Sequence, residues 1–205
     1  MSAEGHLLEC VCDGASAALH KLLRYAHLAG VGAYVPALWD ERVVPLCAVG
    51  APVASFLWDG SMPAHVVPTL ANVSELVRTV VERLRMEASE VVIAMALLES
   101  LLVKRGHVLQ VHSARPVLLA ACILTRKLTR DADLSTLTCV AAVEDVFTAL
   151  TPVLGGRIER QLLEYLDWRI PNDPDLYNWH TIELLRSGTP PGMLPPSIVD
   201  VPWMC

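Results

Sequence analysis

Residues 115–133 read RPVLLAACILTRKLTRDAD, and they decide how the chain folds. A run of apolar side chains from Pro116 to Leu124 stops at Arg126 and Lys127. Leu118, Leu119, Cys122, Ile123 and Leu124 cover most of a helix surface, so this helix belongs inside a domain rather than on its rim. Ala120, Ala121 and Cys122 are small and let neighbouring helices approach. His112 or Ser113 opens the helix and Pro116 falls in its first turn, where a missing N–H is harmless. The helix is expected to run to about 129. Lys127 has only Ile123 and Leu124 one turn back, while Asp131 is a candidate partner one turn ahead. A lysine at a helix C-terminus is also favoured by the helix dipole.

Working outward, 72–86 (NVSELVRTVVERLRM) places Val73, Leu76, Val77, Val80, Val81 and Leu84 on one stripe, with Asn72 or Ser74 as the cap. Residues 89–104 (SEVVIAMALLESLLVK) form a helix that is apolar on nearly all sides. A further helix is expected over 134–149. Pro152 then begins another, through 166, in which Leu154, Ile158, Leu162 and Leu166 recur every four residues. Within that helix Glu159 faces only Gly155, Gly156, Leu162 and Leu163, so it has no partner on its own helix. Asp167–Asn172 leads out, and a short helix near 175–187 precedes a proline-rich tail. Towards the N-terminus, 15–29 is helical, followed by a Pro/Gly-rich irregular stretch to Pro68. The expected fold is all-α, five consecutive helices around the 112–129 helix, with no internal repeat.

Composition agrees with a packed helical domain. The 205 residues are 53% hydrophobic and 19% charged, with only 5% aromatic, so the core is aliphatic. A net charge of −6 argues against nucleic acid as the main partner. The basic clusters Lys104–Arg105 and Arg126–Lys127–Arg130 are short and read as solvated helix ends. The opening MSAEGHLLECVCDG lacks a basic n-region, and no uninterrupted apolar run is long enough for a membrane span. A cytoplasmic or nuclear protein is expected. Cys122 and Cys139 lie in apolar runs and act as small hydrophobes. Cys10 and Cys12 lack a second close pair that would complete a metal site. The common nucleotide-binding, hydrolase and zinc-protease motifs are missing, so neither catalysis nor a cofactor is expected. Glu87, Glu90, Glu99 and Glu144–Asp145 read as solvated, and His107 and His112 as loop residues.

Three stretches in order, VVIAMALLESLL (91–102), RPVLLAACILTRKLTRDAD (115–133) and GRIERQLLEYLDWRI (156–170), resemble the second, third and fifth helices of the cyclin box. The resemblance is to the single-box cyclins of the Pho80-like (P/U) type and of cyclin Y, and it covers about 71–172. It implies an N-terminal extension over 1–70, a five-helix box over 71–172, and a short helix with a tail over 173–205. Too few residues follow 175 for a second box. The implied function is binding and activation of a cyclin-dependent kinase of the Pho85-like or PCTAIRE-like class. Lys127 and Glu159 match the two charges that reach the kinase, and Ile123, Leu124 and Leu163 supply apolar surface between them. Arg78 and Glu99 match an internal ion pair that braces the box. The sequence departs from the family at Arg126, where a small residue is usual, which implies an extra positive charge at the interface. Ser100 stands where a basic residue is common. Val77, Val81 and Leu84 stand where cell-cycle cyclins carry an aromatic docking patch. The competing expectation is an all-α adaptor with a cyclin-like fold and a non-kinase partner.

Overall fold

From Ala114 to Arg126 every residue of helix α4 (Ala114–Thr129) is buried. The computed structural model describes residues 3–28, 37–47, 67–105, 109–130, 135–171 and 173–189. Around α4 lie α1 (Ala3–Leu28), α2 (Leu70–Arg83), α3 (Ala88–Lys104), α5 (Thr136–Val143), α6 (Pro152–Tyr165) and α7 (Pro174–Gly188), with a 3-10 turn at Ala37–Trp39. No strand occurs among the described residues, so the fold is all-α. α4 packs on α3 and α6, α5 rests on α6, and α1 crosses α2 and α3 while pairing along α7. No described helix is long and apolar enough to cross a membrane. Asp131, His107, the stretches 29–36 and 48–66 and the proline-rich tail lie outside the described residues.

Local chemistry sets the helix starts. Thr69 rather than Asn72 caps α2: its hydroxyl accepts from Asn72 N at 3.2 Å, and the Asn72 side chain accepts from Thr69 N at 3.2 Å. Ser135 and Thr151 cap α5 and α6 through the backbone N–H groups of Thr138 (3.2 Å) and Leu154 (3.1 Å). Each such cap stabilises its helix by about 1 kcal/mol. α5 is shorter than the 134–149 expected. Beyond Val143 the backbone turns to partners elsewhere: the Cys47 thiol donates to Val146 O at 3.4 Å, and Ala149 N–H donates to Leu46 O at 2.8 Å. The turn drops Phe147 into the core with no exposure.

α1 begins at Ala3, twelve residues before the expected 15, and the added length packs on α7 through Gly14. A Cβ at Gly14 would overlap the Leu184 carbonyl of α7, and one at Gly188 would overlap the Cys10 carbonyl of α1. The two backbones touch there. The buried stripe Val11, Ala15, Leu19 and Leu23 then faces α2 and α3. Residues 37–47 are equally tied in. Trp39 is fully buried, its indole Nε1 donates to Ile158 O at 3.4 Å, and its ring centroid is 5.1 Å from that of Tyr165. Glu41 and Arg115 form a bidentate pair, both bonds 2.6 Å and both side chains 4% exposed.

Candidate functional site

Lys127, near the end of α4, and Glu159, in the middle of α6, meet across the interhelical groove. Nζ donates to Glu159 Oε1 at 2.6 Å. Thr136, in the first turn of α5, joins them: its hydroxyl accepts from Lys127 Nζ at 3.1 Å and donates to Glu159 Oε2 at 2.9 Å. Neither charge has a partner on its own helix, and the crossing of α4 and α6 supplies one. Glu159 is 8% exposed at its side chain and Lys127 32%, so the bridge is sunk on the carboxylate side and open on the ammonium side. Three helices therefore converge on one charged point at the surface.

On the same three helices the exposed large apolar side chains are Leu128 on α4, Leu137 on α5 and Val153 on α6. Ile123 and Leu124, expected on this surface, are instead core residues with 0% and 4% exposure. α4 is enclosed by α2, α3 and α6, so side chains one turn before Lys127 face inward. Leu163 is half-buried, one turn after Glu159. The glycine pair before Glu159 divides in two. A Cβ at Gly155 would come 2.7 Å from Val140 Cγ2 on α5, so glycine there lets α5 approach. At Gly156 a Cβ would meet nothing within 4 Å, although glycine in a helix interior costs about 1 kcal/mol relative to alanine.

Arg126 does not add a positive charge to this surface. It is 7% exposed at its side chain, and Nη1 donates to the Glu90 carboxylate at 3.0 and 3.2 Å. Glu90, expected in solvent, is the buried hub of a network at the start of α3. It also accepts from Thr129 Oγ1 (2.7 Å), Arg130 Nε (3.3 Å) and the Glu87 N–H (2.7 Å). Burial pushes its carboxyl pKa up, but the Glu87 N–H, the Thr129 hydroxyl and Arg126 outweigh that and hold it below the usual range. The sequence hid this pair because its partners are 36 residues apart.

The brace expected between Arg78 and Glu99 is not formed. Arg78 turns to α1, with Nη2 donating to Asp13 Oδ1 at 2.6 Å and Nη1 3.7 Å from Glu9. Glu99 Oε2 lies 2.7 Å from Nε2 of His180 on α7. Both residues lie on the side of the bundle that α1 and α7 cover: Arg78 finds its counter-charges on α1, and Glu99 meets the imidazole of His180 on α7. Lys104, expected in solvent, donates to Leu166 O at 2.6 Å and to Asp167 at 3.1 Å, closing the C-terminal end of α6.

A cavity of about 640 Å³ opens between the end of α2 and α5, with Arg83, Arg85, Arg126 and Thr138 in its wall. Arg83 is bound to Asp145 at 2.7 Å and Arg126 to Glu90, so two of its three cations are already matched. Among the described residues no cluster of His, Cys, Asp and Glu is placed to hold a metal ion. The Cys122 thiol is fully buried and its pKa is pushed up to about 12 by burial. The Lys127–Thr136–Glu159 point, on helices that also expose apolar side chains, is thus the feature best suited to meet another molecule. No protein-family model, curated protein or solved structure matches the chain.

Proposed function

We propose that this protein is a cyclin-like regulatory subunit. It docks on a cyclin-dependent kinase of the Pho85-like or PCTAIRE-like class through the α4–α5–α6 face. The observation that carries the reading is the Lys127–Glu159 bridge. The two residues that the resemblance singles out as kinase contacts lie 2.6 Å apart, Lys127 partly exposed and Glu159 buried beneath it, although 32 residues separate them in sequence. The exposed Leu128, Leu137 and Val153 supply apolar area on the same three helices. Docking there would favour the kinase arrangement in which its regulatory helix completes the Lys–Glu pair, and a few kcal/mol of differential binding shifts such an equilibrium. The burial of Ile123 and Leu124 thins the apolar surface and favours a second reading, an all-α adaptor whose partner is not a kinase.

Co-purification from the native cell, followed by a kinase assay with and without the protein, separates the two. Recovery of a kinase whose activity depends on the protein supports the first reading; recovery of non-kinase partners alone supports the second. The exchange Lys127→Glu with Glu159→Lys locates the surface. It restores an ion pair across α4 and α6, so the fold is retained while the charges shown to a partner are inverted. Undiminished kinase binding by this variant sinks the assignment.

A further inference from the structure

The cavity of about 640 Å³ between the end of α2 and α5 has donors in its wall that the chain leaves uncommitted. Arg126 spends Nη1 on Glu90, at 3.0 and 3.2 Å, while its buried Nε meets no acceptor. Arg85 is exposed and has no ion pair among the described residues. Its backbone is strained as well. α2 ends with Arg85 N–H donating to Glu82 O at 3.0 Å and Met86 N–H to Val81 O at 2.9 Å, and this turn holds Arg85 at φ 51°. Glycine takes that left-handed position without steric cost and is the usual residue there, so an arginine costs stability. Strain of this kind persists where the side chain has a use. Arg83, held by Asp145 at 2.7 Å, and Thr138 complete the polar wall.

Three guanidinium groups and a hydroxyl around one cavity offer more donors than a carboxylate can use, and they suit the several oxygens of a phosphate group. Asp145 and Glu90 offset Arg83 and Arg126 from outside the wall, and among the described wall residues the single carboxylate is Glu82. The volume is that of a small-molecule site rather than of one ion. Leu84, Cys139 and Ala142 line the remainder, which suits a carbon skeleton carrying the phosphate. We propose that this cavity binds a phosphate monoester, with Arg85 and Arg126 on the phosphoryl oxygens and Glu82 opposing part of their charge. The site is separate from the Lys127–Glu159 bridge. Thr136 and Thr138 are two residues apart on α5 and so point about 200° apart around it, the first to the bridge and the second to the cavity. The phosphate can come from a phosphorylated side chain of another protein or from a small phosphorylated metabolite, and the two present the same group.

The test follows the full isotope-labelled chain by NMR at constant ionic strength and about pH 7.5, where a phosphate monoester carries nearly two charges. The titrants are glycerol 3-phosphate and a short peptide with phosphoserine flanked by alanines, with serine and glutamate versions of the peptide as controls. The side-chain Nε–H signal of Arg126, identified by its loss in Arg126→Met, should shift saturably with at least one ester. The serine peptide should have no effect, and the glutamate peptide should bind at least about tenfold more weakly than its phosphoserine form. Tighter binding of the phosphopeptide assigns the site to a protein partner, and tighter binding of glycerol 3-phosphate to a metabolite. Arg85→Gly suits the backbone, so Tm should be unchanged or higher, yet affinity for the bound ester should fall about fivefold or more. Glu82→Gln should tighten binding about twofold to threefold. No saturable shift with either ester, equal binding of the glutamate peptide, or an affinity unchanged in Arg85→Gly overturns the proposal.

Discussion

Removing Glu90 should damage the fold more than removing its main partner, Arg126. Both side chains are nearly out of solvent, at 3% and 7% exposure, but their situations are unequal. Arg126 has no carboxylate other than Glu90 within ion-pair reach among the described residues, and its Nε has no acceptor. Glu90 keeps the Glu87 N–H, the Thr129 hydroxyl and Arg130 when Arg126 is gone. Glu90→Ala strands a buried cation and takes away part of the α3 cap, which should cost about 3–5 kcal/mol. For a chain of this size that corresponds to a fall in Tm of roughly 6–20 °C. Arg126→Met retains the aliphatic stem and leaves the carboxylate satisfied, so about 1–2 kcal/mol is expected, the scale of hydrogen bonds to a charged group. In the double variant no unpaired buried charge remains, and its cost should fall below the sum of the singles by about 1–3 kcal/mol. Urea unfolding followed by circular dichroism measures all three. Additivity within about 0.5 kcal/mol, or an Arg126→Met variant as unstable as Glu90→Ala, would show that the asymmetry is wrong.

Three further outcomes follow from the packing. Gly14→Ala and Gly188→Ala should each force α1 and α7 apart and cost about 1–3 kcal/mol in thermal unfolding, opposite in sign to Gly156→Ala. A neutral effect at either site would contradict the backbone contact. Trp39→Ala should cost about 3–5 kcal/mol by denaturant titration, because it empties a fully buried site between 37–47 and α6. A cost of less than about 1 kcal/mol would mean that 37–47 is not part of the core. The third outcome concerns acid. Burial lowers the His180 pKa below 6.5 against the opposing pull of Glu99, so below pH 6.5 the unfolded chain takes up the proton first and stability falls as pH falls. Glu90, held below its ordinary 4.5, contributes fully above that value and loses its contribution as pH drops below it. His180→Gln should lessen the fall in stability just below pH 6.5, leaving the share of His112, whose pKa burial also lowers, and should leave the loss below pH 4.5 in place.

Helix identity was legible wherever burial repeats at helical spacing. The stripe Val73, Leu76, Val77, Val80 and Val81 is buried as the sequence expects, and the run from Pro116 to Leu124 is interior throughout. What periodicity could not carry was long-range partnership. Glu90 sits at a position whose local neighbours suggest solvent, and its partners lie on another helix. The part of α1 before residue 15 was not legible, and there the missing side chain of Gly14 admits the Leu184 backbone. The stretch around Trp39 has no period at all, and its burial follows from contacts with α4 and α6 far along the chain. Lys127 and Glu159 stood out because each lacked a partner on its own helix, and that local deficit marked the place where two helices meet. For Ile123 and Leu124 the same local view misleads, because nearness to Lys127 along the helix does not bring a side chain to the surface.

The internal Lys127–Glu159 bridge changes what can hold a partner on this face. Because each charge already has a counter-charge and a shared hydroxyl, covering the pair desolvates it without a new ion pair in return, so its net contribution to affinity is small or unfavourable. The bridge therefore serves orientation: a partner that fails to offer polar groups above Nζ is penalised. Affinity has to come from exposed apolar side chains. Leu128, Leu137 and Val153 are 46%, 61% and 66% exposed, and completing their burial is worth about 1–2 kcal/mol each. The resulting total of roughly 3–6 kcal/mol covers only the lower end of what association costs, about 4–15 kcal/mol. Arg157 and Arg160 on α6 are exposed and have no ion pair among the described residues, so they can supply charge to a partner. Binding through this face should consequently be short-lived at high salt and should lengthen markedly as ionic strength is lowered, whereas a complex indifferent to salt would have to be held by another surface.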